Sequence, residues 1–387
     1  MVNLLPAVLI GGPPHAGKSV LTYNLTQALR KRNVDHYVLR ACPDGEGDWS
    51  QEIDQKSVSR IRIKGDWTAE FVKSICRDLE RRHFPLLVDV GGRPEEWQTG
   101  ILRCCTHSLL LLHPDDERTA GFWRQLVSTH SLPPLAQLYS VLEGESTIVA
   151  KKPVIEGTLV GLNRNTLIHS PLFDLLVDRV VSLFTSYSSE ELRRGHLDSA
   201  PGEVVDLDAY IQTWAPQSKR WELQMLGRLL AGIPQITPLA IYGRGTNWLY
   251  AALALHTQVS PFYQFDSRLG WVTPLSIRFG SSKIPELQIP PPEEDKNFTL
   301  LKVHPANDHI DYERVEHAEF PSISRERGLI LSGKLPLWLV TALVRLYDGA
   351  GLPWIACYSP PLGGAVIVNS HIETYVLGDI VPLHITS

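Results

Sequence analysis

Eight residues near the start of the chain, Gly12-Pro13-Pro14-His15-Ala16-Gly17-Lys18-Ser19, have the types and spacing to hold a polyphosphate. They fit G-x-x-x-x-G-K-[ST], in which glycines let the backbone curl until its N–H groups point inward at phosphate oxygens. Gly12 and Gly17 supply that freedom, Lys18 carries positive charge to the β- and γ-phosphates, and Ser19 offers a hydroxyl to Mg2+. The motif also needs a carboxylate at the end of a neighbouring apolar strand. Leu86-Leu87-Val88-Asp89-Val90-Gly91-Gly92 provides one. Asp89 is expected to hold Mg2+ through water, and the glycine pair lets the following loop approach the γ-phosphate. ATP with Mg2+ is therefore the expected ligand, with Ser19 and Asp89 as the metal contacts. The competing reading, a glycine turn with a surface lysine and a strand-ending Asp that caps a helix, loses ground because loop and strand occur together.

Two weaker signals lie nearby. The loop Pro43-Asp44-Gly45-Glu46-Gly47-Asp48-Trp49 carries three acids, and Asp44 or Asp48 suits a base, a second metal contact or a ribose clamp, unless it is only a solvated acidic turn. Arg93 follows the glycine pair and suits a phosphate contact. No Glu follows Asp89, which argues against an AAA-type motor, where that Glu polarises water. One intervening strand and the ending Asp89-x-Gly-Gly look more like the kinase–GTPase side of the P-loop proteins.

The elements that position these groups alternate between short apolar runs and amphipathic stretches. Strands are expected at Ala7–Ile10, His36–Ala41, Leu86–Val90, Leu109–Leu112 and Gln137–Val141. Helices are expected at Val20–Lys31, Thr68–Arg82, Thr119–Thr129 and near Phe173–Phe184, with a β-rich patch over Thr147–Leu162. That alternation argues for helices packed on a mostly parallel sheet. The polar stretch Ser186–Gly202 reads as a connector, and Ile289-Pro-Pro-Pro-Glu-Glu-Asp-Lys296 as a second break, because proline removes backbone donors. The expected domains are 1–195, 196–289 and 297–387.

The last two domains look like one another. Leu239-AIYGRGTNWLYAAL-Ala254 answers Leu329-ILSGKLPLWLVTAL-Val344, with Gly243 on Gly333 and Trp248 on Trp338 at a constant offset of 90 residues (333 − 243). After a loop of slightly different length, Pro261-FYQFDSRL-Gly270 answers Pro353-WIACYSPPL-Gly363. Tandem copies of this kind suggest one fold used twice, packed as an intramolecular pseudo-dimer. Trp248 and Trp338 read as core residues at the helix starts.

Gly-Arg/Lys-x-x-x-Trp-Leu, then Pro-Phe/Trp, then Asp266-x-Arg268-Leu-Gly, then Ser370-His371 and Gly378-Asp-Ile, resemble the ring nuclease family of type III CRISPR systems. Members cleave cyclic oligoadenylate messengers, and cyanobacterial versions carry an appended P-loop domain. The resemblance is closest over Asn297–Pro382 and weaker over 203–288. It implies an α/β chain: an N-terminal P-loop NTPase domain with a mostly parallel sheet, then two tandem α+β ring-nuclease-like domains forming a pseudo-dimer. It also implies antiviral signalling by metal-dependent phosphodiester cleavage, with cyclic tetra- or hexa-adenylate as substrate, Mn2+ as a further metal, and ATP regulating assembly or activity. The copies divide the family's pattern: Asp266 and Arg268 have Ser359 and Pro361 as counterparts, and His371 has Ile277. Arg268 suits the charge of the phosphorane and His256 or His371 the proton transfers. Asp266 suits orienting a histidine or holding a divalent ion, and Gly243-Arg244 a ligand contact. Because members sandwich the ring between dimers, a homo-oligomer is expected. The competing readings are a nucleotide or nucleoside kinase with sensing repeats, and a protein that sequesters the messenger without cutting it.

Composition excludes other classes. Formal net charge is −5, so no global basic field recruits duplex DNA. Five cysteines (42, 76, 104, 105 and 357) form no C-x-x-C pair, and 43% hydrophobic content suffices for full cores without staples. The N-terminal apolar run reads as a buried strand rather than a leader, and no run reaches the length of a membrane span, so a cytoplasmic location is expected.

Overall fold

In the computed structural model, which describes residues 5–42, 67–92, 94–163, 166–218, 220–282, 284–306 and 310–383, every residue of β1 (Ala7–Gly11) is buried. Its side chains feed two cores. Val8 and Ile10 join Leu21 and Leu25 of α1 (Lys18–Lys31), whereas Ala7 and Leu9 join a separate cluster containing Val88 and Trp123. A strand apolar on both faces belongs inside a sheet covered by helices on both sides. The rest of the first sheet follows that rule: β2 (Tyr37–Ala41), α2 (Ala69–Glu80), β3 (Leu86–Val90), a short α3 (Gly100–Arg103), β4 (His107–Leu112), α4 (Glu117–Thr129), β5 (Pro134–Val141), β6 (Thr147–Ala150), β7 (Ile155–Val160) and α5 (Pro171–Phe184). Thr68, Asp116 and Ser170 cap α2, α4 and α5 by accepting the N–H groups of Phe71, Thr119 and Phe173.

The strand order is β2-β3-β1-β4-β5-β7-β6. All neighbours are parallel except the β6–β7 hairpin. Two consequences matter. β3 lies beside β1 with Asp89 opposite Ile10, and β2 lies beside β3 with Arg40 opposite Asp89. Asp89 thus emerges one strand from the loop that follows β1, at the carboxyl edge where open α/β sheets bind ligands. The stretch expected as a connector after Ser186 is instead helical over α6 (Ser189–Asp198). Ser188 accepts the Glu191 N–H, and Glu190 and Glu191 sit in the first turn, where the helix dipole favours acids. Polarity misled the reading because only His196 of this helix is buried.

The chain divides into two compact units, one of Met1–Gly195 with Ser267–Leu269 and Asn307–His309, the other holding the remainder. Apart from those two short segments, both halves expected as separate domains, 196–289 and 297–387, fall in the second unit. Its first half contains β8 (Glu203–Asp206), α7 (Leu207–Trp214), α8 (Leu223–Ala231), β9 (Leu239–Tyr242), α9 (Asn247–His256), β10 (Phe262–Asp266) and β11 (Gly270–Val272), in the order β11-β10-β9-β8. Its second half contains β12 (Glu293–Glu294), β13 (Phe298–Lys302), β14 (Gly328–Ser332), α10 (Leu337–Asp348), β15 (Trp354–Ser359), β16 (Gly364–Ser370) and β17 (Ile380–Pro382), in consecutive order. The proline run 290–292 leads into β12, an edge strand, which is where proline is tolerated in a sheet.

Both halves follow the same course. β8/β9 and β9/β10 are parallel and β10/β11 antiparallel; β13/β14 and β14/β15 are parallel and β15/β16 antiparallel. Gly243 and Gly333 end equivalent strands with φ of +106° and +151°, a conformation that glycine adopts without strain. The halves pack helix to helix and exchange hydrogen bonds. Asn247 Nδ2 donates to the Tyr358 carbonyl at 3.0 Å, Thr341 Oγ1 to Gln264 Oε1 at 3.0 Å, and Arg345 to the carbonyls of Ala254 and Thr257 at 2.9 and 3.1 Å. The start of α9 therefore meets the end of β15, while the ends of α9 and α10 meet each other. The two carboxyl edges share one end of the unit. Trp248 and Trp338 are fully buried. Among the described residues no helix is long and apolar enough to cross a membrane.

One clasp in this unit carries a pH signature. Glu319 accepts from the guanidinium of Arg278, the N–H groups of Ser281 and Ser282, and the Ser282 hydroxyl. The Ser282 hydrogen bonds, with Arg278 alongside, pull its carboxyl down to about 2. Its contribution is then complete above the unfolded carboxylate range and disappears as pH falls from there through about 2. Urea unfolding of wild type and Glu319→Gln at pH 7, 6 and 3 should show a gap that is constant between the first two and shrinks at the third.

Candidate functional site

The loop after β1 is built around two glycines that tolerate no side chain. A Cβ on Gly12, at φ +148°, would stand 1.9 Å from the Leu111 carbonyl, and one on Gly17, at φ +91°, would meet Leu162 at 2.9 Å. Gly17 caps α1 without any side-chain acceptor, and the first turn of α1 contains no acid. The helix therefore turns its positive dipole toward the loop with no acid of its own to screen it, the electrostatic requirement for an anion. Lys18 is buried and folds back, its Nζ donating to the carbonyls of Gly12 and Pro13 at 2.9 and 2.8 Å. Burial lowers the pKa of this ammonium, against the pull of the Asp89 carboxylate and Cys42.

Asp89 is 2% exposed. Its Oδ2 accepts the Ser19 hydroxyl at 3.1 Å and the Arg40 guanidinium at 3.2 Å. Ser19 and Asp89 offer hard oxygens side by side, the donor set Mg2+ takes when phosphate and water complete its shell, so these residues fit the metal that the loop pattern implies. Gly91 and Gly92 follow at the same edge, packed on Cys42 and Pro14. Asp44 and Arg93 lie outside the described residues. Arg40 was not singled out from sequence, because only strand register puts it across from Asp89.

The residues chosen in the second unit fall on opposite ends. Asp266 closes β10 at the carboxyl edge. Beside it, Gly243 and Arg244 form a turn held by Asp208, whose Oδ1 accepts the Arg244 N–H at 3.0 Å, and by Tyr250, whose hydroxyl donates to the Gly243 carbonyl at 2.7 Å. Burial, with the Asp208 and Asp266 carboxylates close by, pushes the Tyr250 phenol far above its ordinary range. The Arg244 side chain is exposed. His256 ends α9, its Nε2 2.9 Å from the Ile233 carbonyl. His371 follows β16, its N–H on the Pro353 carbonyl at 2.8 Å and its Nε2 3.3 Å from Asp348 Oδ1. Asp348 also accepts from Asn369 at 2.6 Å. Both histidines thus sit at the amino edge, roughly 15 Å from Asp266 by the rise of a ten-residue helix.

Arg268 has an ion pair of its own. Its guanidinium pairs with Asp78 at 3.3 Å, with side chains 10% and 2% exposed, inside the first unit. Arg268 thus faces Asp78, while Asp266 stands at the carboxyl edge and His256 and His371 at the amino edge. Among the described residues no group of three His, Cys, Asp or Glu converges to hold a metal. Asp208, Tyr250 and Asp348 were missed. Asp208 and Tyr250 act on one turn from separate elements, and Asp348 is read as an ordinary helix-end acid until its histidine is seen across the sheet.

Residues 303–382 match the family described as CRISPR-associated protein (Cas_csx3), about one fifth of the chain. An uncharacterized protein from Aquifex aeolicus (strain VF5) is 38% identical over 53 residues, which is 14% of this chain and 46% of that relative. The alignment thus spans less than half the length of that relative. The family match supports a CRISPR-associated role.

The Arg268–Asp78 pair makes a prediction of its own. Removing the guanidinium takes a charged partner from a buried carboxylate, so Arg268→Ala should destabilise the protein by about 3 kcal/mol in urea unfolding, and Arg268→Met with Asp78→Leu should recover most of that loss. An unchanged midpoint in the single variant would show that the pair does not support the fold.

Proposed function

We propose that this chain binds a nucleoside triphosphate with Mg2+ through its first unit and opens cyclic oligoadenylate through its second, as part of CRISPR antiviral signalling. The observation that carries the first half is the meeting of Ser19 and Asp89 beneath an unscreened helix start, with Lys18 alongside. In this reading the loop N–H groups and the Lys18 ammonium bind the phosphates, and Ser19 and Asp89 hold the metal. Mg2+, when bound, neutralises charge on the phosphate oxygens. ATP then regulates assembly or cleavage, a role that also accommodates phosphoryl transfer.

The second half rests on the family match and on the two half-sites. Opening the ring requires a 2′-hydroxyl to attack the adjacent phosphorus while the P–O5′ bond breaks, leaving a 2′,3′-cyclic phosphate and a 5′-hydroxyl. A base removes the 2′ proton and an acid returns one to the departing oxygen. His371, oriented by Asp348, suits one transfer; Asp266 suits the other or the holding of Mn2+, with Arg244 and Gly243 contacting phosphate. These groups occupy opposite ends of the second unit, so the carboxyl edge of one copy must meet the amino edge of another. A homo-oligomer follows from this requirement. The pairing of Arg268 with Asp78 favours a second reading, in which the chain sequesters the ring without cutting it.

Incubating the full chain with labelled cyclic tetra- and hexa-adenylate, with and without ATP, Mg2+ and Mn2+, separates the readings. Cleavage predicts linear products, reduced at least about a hundredfold in Asp266→Ala and in His371→Ala. Mixing those two variants should restore part of the rate, because a hybrid pair rebuilds one intact site. Intact ring that co-elutes with wild type would support sequestration instead.

A further inference from the structure

Arg40 is the one cation that the described structure sets directly against Asp89, and nothing in the loop pattern calls for it. It stands opposite Asp89 in the parallel pairing of β2 with β3. Its guanidinium bonds the same oxygen, Oδ2, that accepts the Ser19 hydroxyl. The two side chains are 14% and 3% exposed. A carboxylate this deeply buried needs a compensating charge, since an isolated ion in a low-dielectric interior is costly. Lys18 is turned toward the carbonyls of Gly12 and Pro13. Arg40 supplies the contact.

We infer that Arg40 is the resident counter-cation of Asp89, which a divalent metal must displace, so that this arginine sets the metal concentration at which the triphosphate site fills. The inference rests on the nucleotide-binding reading above. A metal arriving at Ser19 and Asp89 meets an oxygen already bonded to a guanidinium, and two cations against one buried oxygen repel strongly. Loading is therefore an exchange. The guanidinium leaves as the metal enters, and it returns when metal and nucleotide depart, keeping the empty site folded.

The test is a Mn2+ titration followed by electron paramagnetic resonance, on the full chain with a saturating non-hydrolysable ATP analogue, for wild type, Arg40→Gln and Arg40→Lys. Losing the competitor should lower the half-saturating Mn2+ concentration of Arg40→Gln on the order of tenfold, while Arg40→Lys, which keeps the charge, stays near wild type. Asp89→Asn should abolish the bound-metal signal in either background. A half-saturation in Arg40→Gln equal to or above that of wild type overturns the inference and leaves the nucleotide reading standing. Weaker analogue binding by Arg40→Gln at saturating metal also overturns it, by making Arg40 a phosphate ligand. Wild type that takes up neither metal nor analogue removes both. Thermal melts of each variant, matched to wild type, establish that the comparison is between folded proteins.

Discussion

The first unit is organised around a buried negative charge. Asp89 sits near the end of a strand whose other residues are apolar, between β2 and β1 in a sheet covered on both sides. Such a carboxylate is unfavourable unless cations and donors surround it. Each neighbouring feature answers that need: Ser19 at the start of α1, Arg40 across the sheet, and Lys18 one residue before Ser19. The strand order is what allows it, since only β3 beside β1 brings the carboxylate to the loop. The glycines then follow from geometry, because a loop passing this close to Leu111 and Leu162 has no room for a Cβ.

The second unit solves a different problem. Each half brings a small sheet and one helix to the contact between them. Packing α9 against α10, with the exchange of Asn247, Thr341 and Arg345 hydrogen bonds, joins them through a shared helical layer. The first half keeps an acid and a tight glycine turn at the carboxyl edge; the second keeps a histidine and its carboxylate partner at the amino edge.

What the sequence reveals follows from how local each feature is. The loop Gly12–Ser19 is legible because its conformation is fixed by residues adjacent in the chain, and Asp89 because an apolar run ending in an acid is itself a local pattern. Gly243 and Gly333 are legible because a glycine that closes an apolar strand is itself a local pattern, and both adopt positive φ. Arg40 is invisible until the register between strands far apart in the chain is known. Asp208, Tyr250 and Asp348 are hidden for the same reason. Asp266, Arg268, His256 and His371 were chosen as one chemical set, yet a list of residues does not say which end of a helix or strand each occupies. The helix at Ser189–Asp198 escaped because it is stabilised by capping and dipole effects rather than by an apolar stripe.

The claim on which the account depends is that Asp89 and the loop before α1 together form a metal–triphosphate site. Calorimetric titration of ATP into the full chain, in millimolar Mg2+ and again in chelator, tests it most directly. The account requires one site per chain with Mg2+, binding weakened by a factor of ten or more in chelator, and a loss on the order of a hundredfold in Lys18→Ala, as expected for removing a charge-assisted contact to phosphate. Equal affinity with and without Mg2+, or a Lys18→Ala protein that binds as wild type does, would contradict it.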